Sequence, residues 1–166
     1  MRRLTALAMA AILALAVAIP ASAHHSDEHR TFISVLKGAN EVPAVDTDGF
    51  GISVMRLNRT ETALSFALIT AQLVDIHMAH IHCGPPGVNG PVVAFLFGPA
   101  DPMVTKNGLL SSGTLTDSDV IPRTSEVCPT DVNDLADVIA LIRSGEAYVN
   151  VHTMAFPGGE IRGPLP

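Results

Sequence analysis

An all-β fold is what this sequence predicts: an antiparallel, Greek-key-like sandwich or barrel of seven to eight strands with one short helix. Three observations carry it. Apolar residues alternate with polar ones over short runs, the two-residue period of half-buried strands. Clusters rich in Gly, Pro and Asn separate the runs at short intervals, which marks turns and ordered loops. Only one segment has apolar residues at helical spacing.

The elements follow in chain order. From Thr31, Phe32, Ser34 and Leu36 share one face and Ile33 and Val35 the other, until Gly38 ends the run. Gly51 to Leu57 and Thr62 to Thr70 are the next strands, and Asn58-Arg59-Thr60-Glu61 between them reads as a hairpin connection. Asn58-Arg59-Thr60 is also a glycosylation sequon, set in that tight turn. Leu73 to His82 and Pro91 to Phe97 flank the loop Cys83 to Gly90, and Leu109 to Thr116 is a weaker strand before a loop from Asp117 to Pro129. Leu135, Val138, Ile139 and Ile142 then mark a helix, with Thr130 or Asp131 available to cap its start and Gly145 its end. Glu146 to Thr153 and Glu160 to Leu165 are the last strands, joined through Pro157-Gly158-Gly159. The alternation places Ile81, Val149, Val151, Phe66 and Leu68 in the core.

Residues 1–23 read as a cleaved signal peptide. Arg2 and Arg3 precede a 16-residue uncharged run from Leu4 to Ile19, and Ala21-Ser22-Ala23 fits the cleavage rule. A run that short falls below the ~20 residues of a spanning helix. The expected product is secreted or periplasmic, with no membrane span after cleavage. Residues 24–30 form a polar, flexible segment, and 31–166 a single β domain. Loss of the signal takes the formal charge from −6 to −8 and leaves Lys37 and Lys106 as the lysines. No basic stripe remains to hold phosphates, so nucleic acid is excluded as a partner. An oxidising compartment makes Cys83 and Cys128 a disulfide, worth about 4 kcal/mol in the chain-entropy account. The competing role is for Cys83, beside His82, to serve as a thiolate ligand.

The chemistry of the chain lies in its histidines. His80 and His82 share one face of a strand, with Ile81 on the other. In Tyr148-Val149-Asn150-Val151-His152, Val149 and Val151 supply the apolar face and Asn150 and His152 the polar one. If these strands are neighbours, His80, His82 and His152 converge on one metal at the surface, their nitrogens within about 4 Å of one another. Copper is the first choice and zinc the second, since imidazole suits both. Met154 is an additional candidate ligand that would favour copper. His77 is another, on the opposite face unless a bulge intervenes, and His24 at the mature terminus is a third. Binding should weaken below pH ~6.5, where free imidazole takes up its proton. The plainer alternative is that these histidines only brace loops. Glu160 is read as a structural ion-pair residue, with Arg162 or another strand as partner.

Asn40-Glu41-Val42-Pro43, Ala79-His80-Ile81-His82-Cys83-Gly84, Asn89-Gly90-Pro91-Val92-Val93, Tyr148-Val149-Asn150-Val151-His152-Thr153 and Gly159-Glu160-Ile161-Arg162-Gly163 together resemble the CHRD domain, first named from chordin. The resemblance runs from about Thr31 to Leu165 and implies an extracellular β domain of the kind found singly in bacterial proteins. It does not carry over the growth-factor binding of chordin. The H-x-H pair with a later histidine is also similar to the copper site of copper/zinc superoxide dismutases, although no histidine-rich zinc loop is present.

The expected function is an exported, non-enzymatic binding domain with a metal site, its protein partner unknown. Two alternatives stand beside it: a copper redox enzyme, and a structural or adhesive module without metal. No nucleophile elbow, phosphate-binding glycine loop or EF-hand order of ligands occurs in the sequence.

Overall fold

A computed structural model describes residues 30–166. The expected signal peptide, residues 1–23, and residues 24–29 of the expected flexible segment 24–30, His24 among them, lie outside the described residues. Eight strands form one sheet: β1 (Thr31–Lys37), β2 (Phe50–Leu57), β3 (Leu64–Ala71), β4 (Ile76–Cys83), β5 (Val92–Phe97), β6 (Gly108–Leu115), β7 (Ala147–Thr153) and β8 (Ile161–Leu165), with helix α1 (Leu135–Ser144) before β7. Their order is β5-β4-β7-β8-β1-β2-β3-β6, and every pairing is antiparallel. The two ends of that order nearly meet. Beyond β6 the chain bridges Val120 to Ala94 of β5, and the Ile121 amide donates to the Val93 carbonyl at 2.8 Å. The sheet is thus a nearly closed barrel. The β3–β4 and β6–β7 connections each pass over two strands, which makes the topology Greek-key.

Alternation explains what fills the barrel. On β1, Phe32 and Leu36 point inward while Ile33 and Val35 remain 55% and 42% exposed. Leu68, Ile81, Val149 and Val151 are fully buried, as the two-residue period requires. Phe66 is only partly buried and packs against the core from its margin, its ring lying over Gly113, where an added Cβ would meet it at 3.0 Å. Helix α1 adds Leu135, Val138, Ile139, Leu141 and Ile142 to the same core. Its cap is Asp134, whose side chain accepts from the Asp137 amide, rather than Thr130 or Asp131. The helix begins later than the polar cluster suggested, because Val132 is held extended in a bridge to Arg123. At its other end Gly145 takes the left-handed conformation, φ 74°.

The β2–β3 hairpin is closed by Asn58, whose Oδ1 accepts from the Thr62 and Ala63 amides and whose Nδ2 donates to Thr62 Oγ1. Cys83, at the end of β4, and Cys128, before the helix, lie within bonding distance with their Cα atoms 5.4 Å apart. That pairing removes Cys83 from the candidate metal ligands. Leu68→Ala should destabilise the protein by about 2–4 kcal/mol, whereas Ile33→Ala on the exposed face should stay within about 0.5 kcal/mol. Urea unfolding of both variants checks the assignment of faces.

Candidate metal centre

Strands β4 and β7 are hydrogen-bonded neighbours, with Met78 opposite His152, His80 opposite Asn150 and His82 opposite Tyr148. Ile81 and Val149 pair toward the core, so the intervening positions lie on the outer face of the barrel. That face is not open to solvent: His80, His82, Asn150 and His152 are all buried. Loops from three parts of the chain cover it, namely residues 38–49, 84–91 and 154–160. The histidine group is therefore an enclosed centre and not the surface site expected from the sequence. A two-residue period says which face a side chain takes but nothing about what lies over that face.

One nitrogen from each of His80, His82 and His152 lies within 4.8 Å of the others. His80 Nδ1 and His152 Nε2 are 3.1 Å apart. That contact is a hydrogen bond between the two rings, which an ion bound at His152 Nε2 would displace. The group as a whole spans up to 4.8 Å, wider than the expected limit of about 4 Å, so it must contract around an ion. The covering loops orient the rings. His82 Nδ1 donates to the Gly90 carbonyl at 2.8 Å, and His152 Nδ1 to the Pro157 carbonyl at 2.9 Å. A carbonyl only accepts, so in each neutral ring the proton sits on Nδ1 and Nε2 keeps its lone pair. His80 Nε2 and His82 Nε2 are buried with no hydrogen-bond partner.

Burial, and after it the neighbouring imidazoles of His152, His82 and His77, hold the His80 pKa down to about 3. Burial likewise lowers His82 to about 4, against the pull of the Gly90 carbonyl, and burial lowers His152. The rings of His80 and His82 are thus neutral well below pH 6.5, and burial favours the neutral form of His152 as well. The expected onset of protonation near that value belongs to free imidazole and does not hold for this enclosed group.

The other sequence candidates lie elsewhere. His77 sits in a β-bulge, where the β4–β7 register shifts between Ile76 and Met78, and its Nδ1 lies 3.2 Å from the Ala100 carbonyl. Met154 falls beyond β7 and is 63% exposed. His77 is not among the three histidines whose nitrogens approach one another.

A network of side chains surrounds the histidines, and of its members the sequence points only to Arg162, as an ion-pair partner. The His82 ring stacks on Tyr148 at 4.9 Å, and the Arg162 guanidinium lies 4.0 Å from the centre of the Tyr148 ring. Arg162 pairs with Glu41 at 3.3 Å, and Glu41 accepts from Asn150 Nδ2 at 2.8 Å. Arg162 also donates to the Val88 carbonyl and to Asn89 Oδ1, while Asn89 Nδ2 donates to the Val42 carbonyl. Tyr148 Oη accepts from the Gly90 amide, which ties the network back to the carbonyl holding His82. Glu160 is not the ion-pair residue it was expected to be: its carboxylate accepts from the hydroxyls of Thr47 and Thr153 at 2.7 and 2.6 Å. The acid that faces Arg162 comes instead from the loop after β1.

Fold and site together define a Greek-key β-barrel domain with a polar centre enclosed on its outer face. A family model described as the CHRD domain matches residues 32–165, and the chain belongs to that family. No curated protein and no solved structure matches it. The segments that carry the family resemblance are the same ones that meet around His82, Tyr148 and Arg162.

Two outcomes follow from this geometry. Arg162→Ala leaves Glu41 buried and unpaired and should cost about 3–5 kcal/mol in urea unfolding, with part of the loss recovered on adding Glu41→Gln. Burial pushes Glu41 up to about 7, so its carboxyl is partly protonated at neutral pH and the smaller end of that range is expected. Metal-free protein should lose stability as pH falls from about 6.5 toward 4.5, because His80 and His82 take up protons there when unfolded and resist them when folded. Glu41 works in the opposite sense over that window, gaining its proton more readily when folded. The His80→Gln variant, compared with its parent by thermal unfolding at each pH, isolates the histidine contribution and should show the shallower decline.

Proposed function

We propose that the protein is an exported CHRD-domain module that binds one metal ion through His80, His82 and His152, with copper preferred and zinc second. The observation that carries this reading is the pair of buried, unpartnered Nε2 atoms on His80 and His82, in a group of three neutral imidazoles whose nitrogens approach one another. Burying polar atoms without partners is costly. A cation bound at these Nε2 atoms would satisfy them, whereas the loop contacts of His82 and His152 through Nδ1 and the hydrogen bond between His80 and His152 leave them without a partner. Three nitrogen donors leave a position for a further ligand, and divalent copper binds nitrogen sites more tightly than zinc. Export is supported by the signal-like residues 1–23, by the paired cysteines and by the extracellular setting of the family. Among the described residues no helix is long and apolar enough to cross a membrane.

Protein lacking His24, His25 and His29 should take up one equivalent of divalent copper, and zinc more weakly, in a calorimetric titration. Alanine at His80, His82 or His152 should reduce affinity by more than about 100-fold, since even an outer partner of a ligand is worth 10- to 100-fold. His77→Ala should leave this affinity near that of the parent. Absence of stoichiometric uptake by the parent would leave the histidines as loop braces. A superoxide turnover assay on the loaded protein separates binding from redox catalysis.

A further inference from the structure

A second group of metal-binding side chains lies beside the histidines. Six methionines occur in the sequence. Met55 is in the core, Met1 and Met9 lie outside the described residues, and the remaining three, Met78, Met103 and Met154, line one cavity of about 270 Å³. They come from β4, from the segment between β5 and β6, and from the turn after β7. His77 lines the same cavity, and so does His152.

The β-bulge brings the first two of these residues together. Ile76 and Ala79 are both core residues, although a regular strand three residues apart would place them on opposite faces. The register shift between Ile76 and Met78 absorbs the odd residue and leaves His77 and Met78 together off the core side. Filling an apolar hollow would need only Leu or Val. Thioethers are soft ligands selective for cuprous ion, they carry no proton to lose, and their flexible stems let ligands from separate loops adjust to one ion. Met154 has little packing to perform, since most of its side chain faces solvent.

We infer that Met78, Met103 and Met154, with His77 beside them, form a cuprous intake site that passes copper to the histidine centre through His152. The inference rests on the histidine centre being a metal site. Transfer is a ligand exchange: copper–sulfur bonds break as a copper–nitrogen bond forms at His152. The ion remains Cu(I), and no proton leaves His152 because its Nδ1 keeps the hydrogen donated to Pro157.

The test uses the full exported protein and cuprous ion buffered anaerobically by bicinchoninate. In a His80→Ala/His82→Ala background, Met78→Leu/Met103→Leu/Met154→Leu should weaken Cu(I) binding by at least about tenfold. Leucine preserves side-chain volume, and Met103→Leu/Met154→Leu, which leaves β4 untouched, should show an intermediate loss if the triple variant misfolds. With the histidines intact, the same methionine variants should load more slowly while reaching parental occupancy with Cu(II) or Zn(II). Parental Cu(I) affinity and loading rate in these variants would overturn the inference and leave the histidine centre standing. A parent that takes up neither Cu(II) nor Zn(II) would instead remove the histidine centre, and with it the transfer.

Discussion

All seven residues of β7 are buried, and burial of its polar face is the constraint on which the rest of the molecule depends. One side of the strand carries Val149 and Val151 into the barrel, where apolar area suffices. The other side carries Tyr148, Asn150 and His152 beneath the loops, where each polar atom needs a partner or costs free energy. The partners come from residues distant in sequence: Glu41 for Asn150, Gly90 for Tyr148 and Pro157 for His152. Three loops are therefore positioned by what one strand demands of them. Gly159, at φ 125°, passes against the Asn150 side chain where a Cβ would collide. Gly90 likewise has no room for one against the Cys83 carbonyl.

Arg162 couples two of these loops to β7. Its guanidinium meets Glu41 from the first loop, Val88 and Asn89 from the second, and the Tyr148 ring from β7. A planar fork of donors suits that task in a way a lysine ammonium would not. Tyr148 in turn stacks on His82, so the orientation of a histidine in the centre depends on an ion pair two side chains away.

The strands and the inward residues were legible because alternation is a local signal, and Leu68, Ile81, Val149 and Val151 needed nothing else. The pairing of β4 with β7 was legible only as a condition, through matching polar faces on two strands distant in sequence. Enclosure was not legible, since no local pattern in 38–49 or 154–160 announces that those residues fold over histidines. The bulge at His77 shows the same limit. Periodicity placed His77 opposite His80, and an extra residue set by long-range pairing moved it toward a cavity shared with Met78. Glu160 was assigned to an ion pair because charge is visible in a sequence. The hydroxyls of Thr47 and Thr153 that actually receive it are not distinctive there.

The hairpin around Asn58 bears on how the protein is to be produced. Oligosaccharyl transfer attaches sugar to the side-chain amide nitrogen of a sequon, and here that nitrogen is engaged with Thr62 while the amide oxygen closes the turn. A eukaryotic secretory host that glycosylated this asparagine on the nascent chain would place the sugar on the atom that helps lock β2 against β3. Bacterial export, or an Asn58→Asp chain that retains the turn-closing oxygen, avoids that competition.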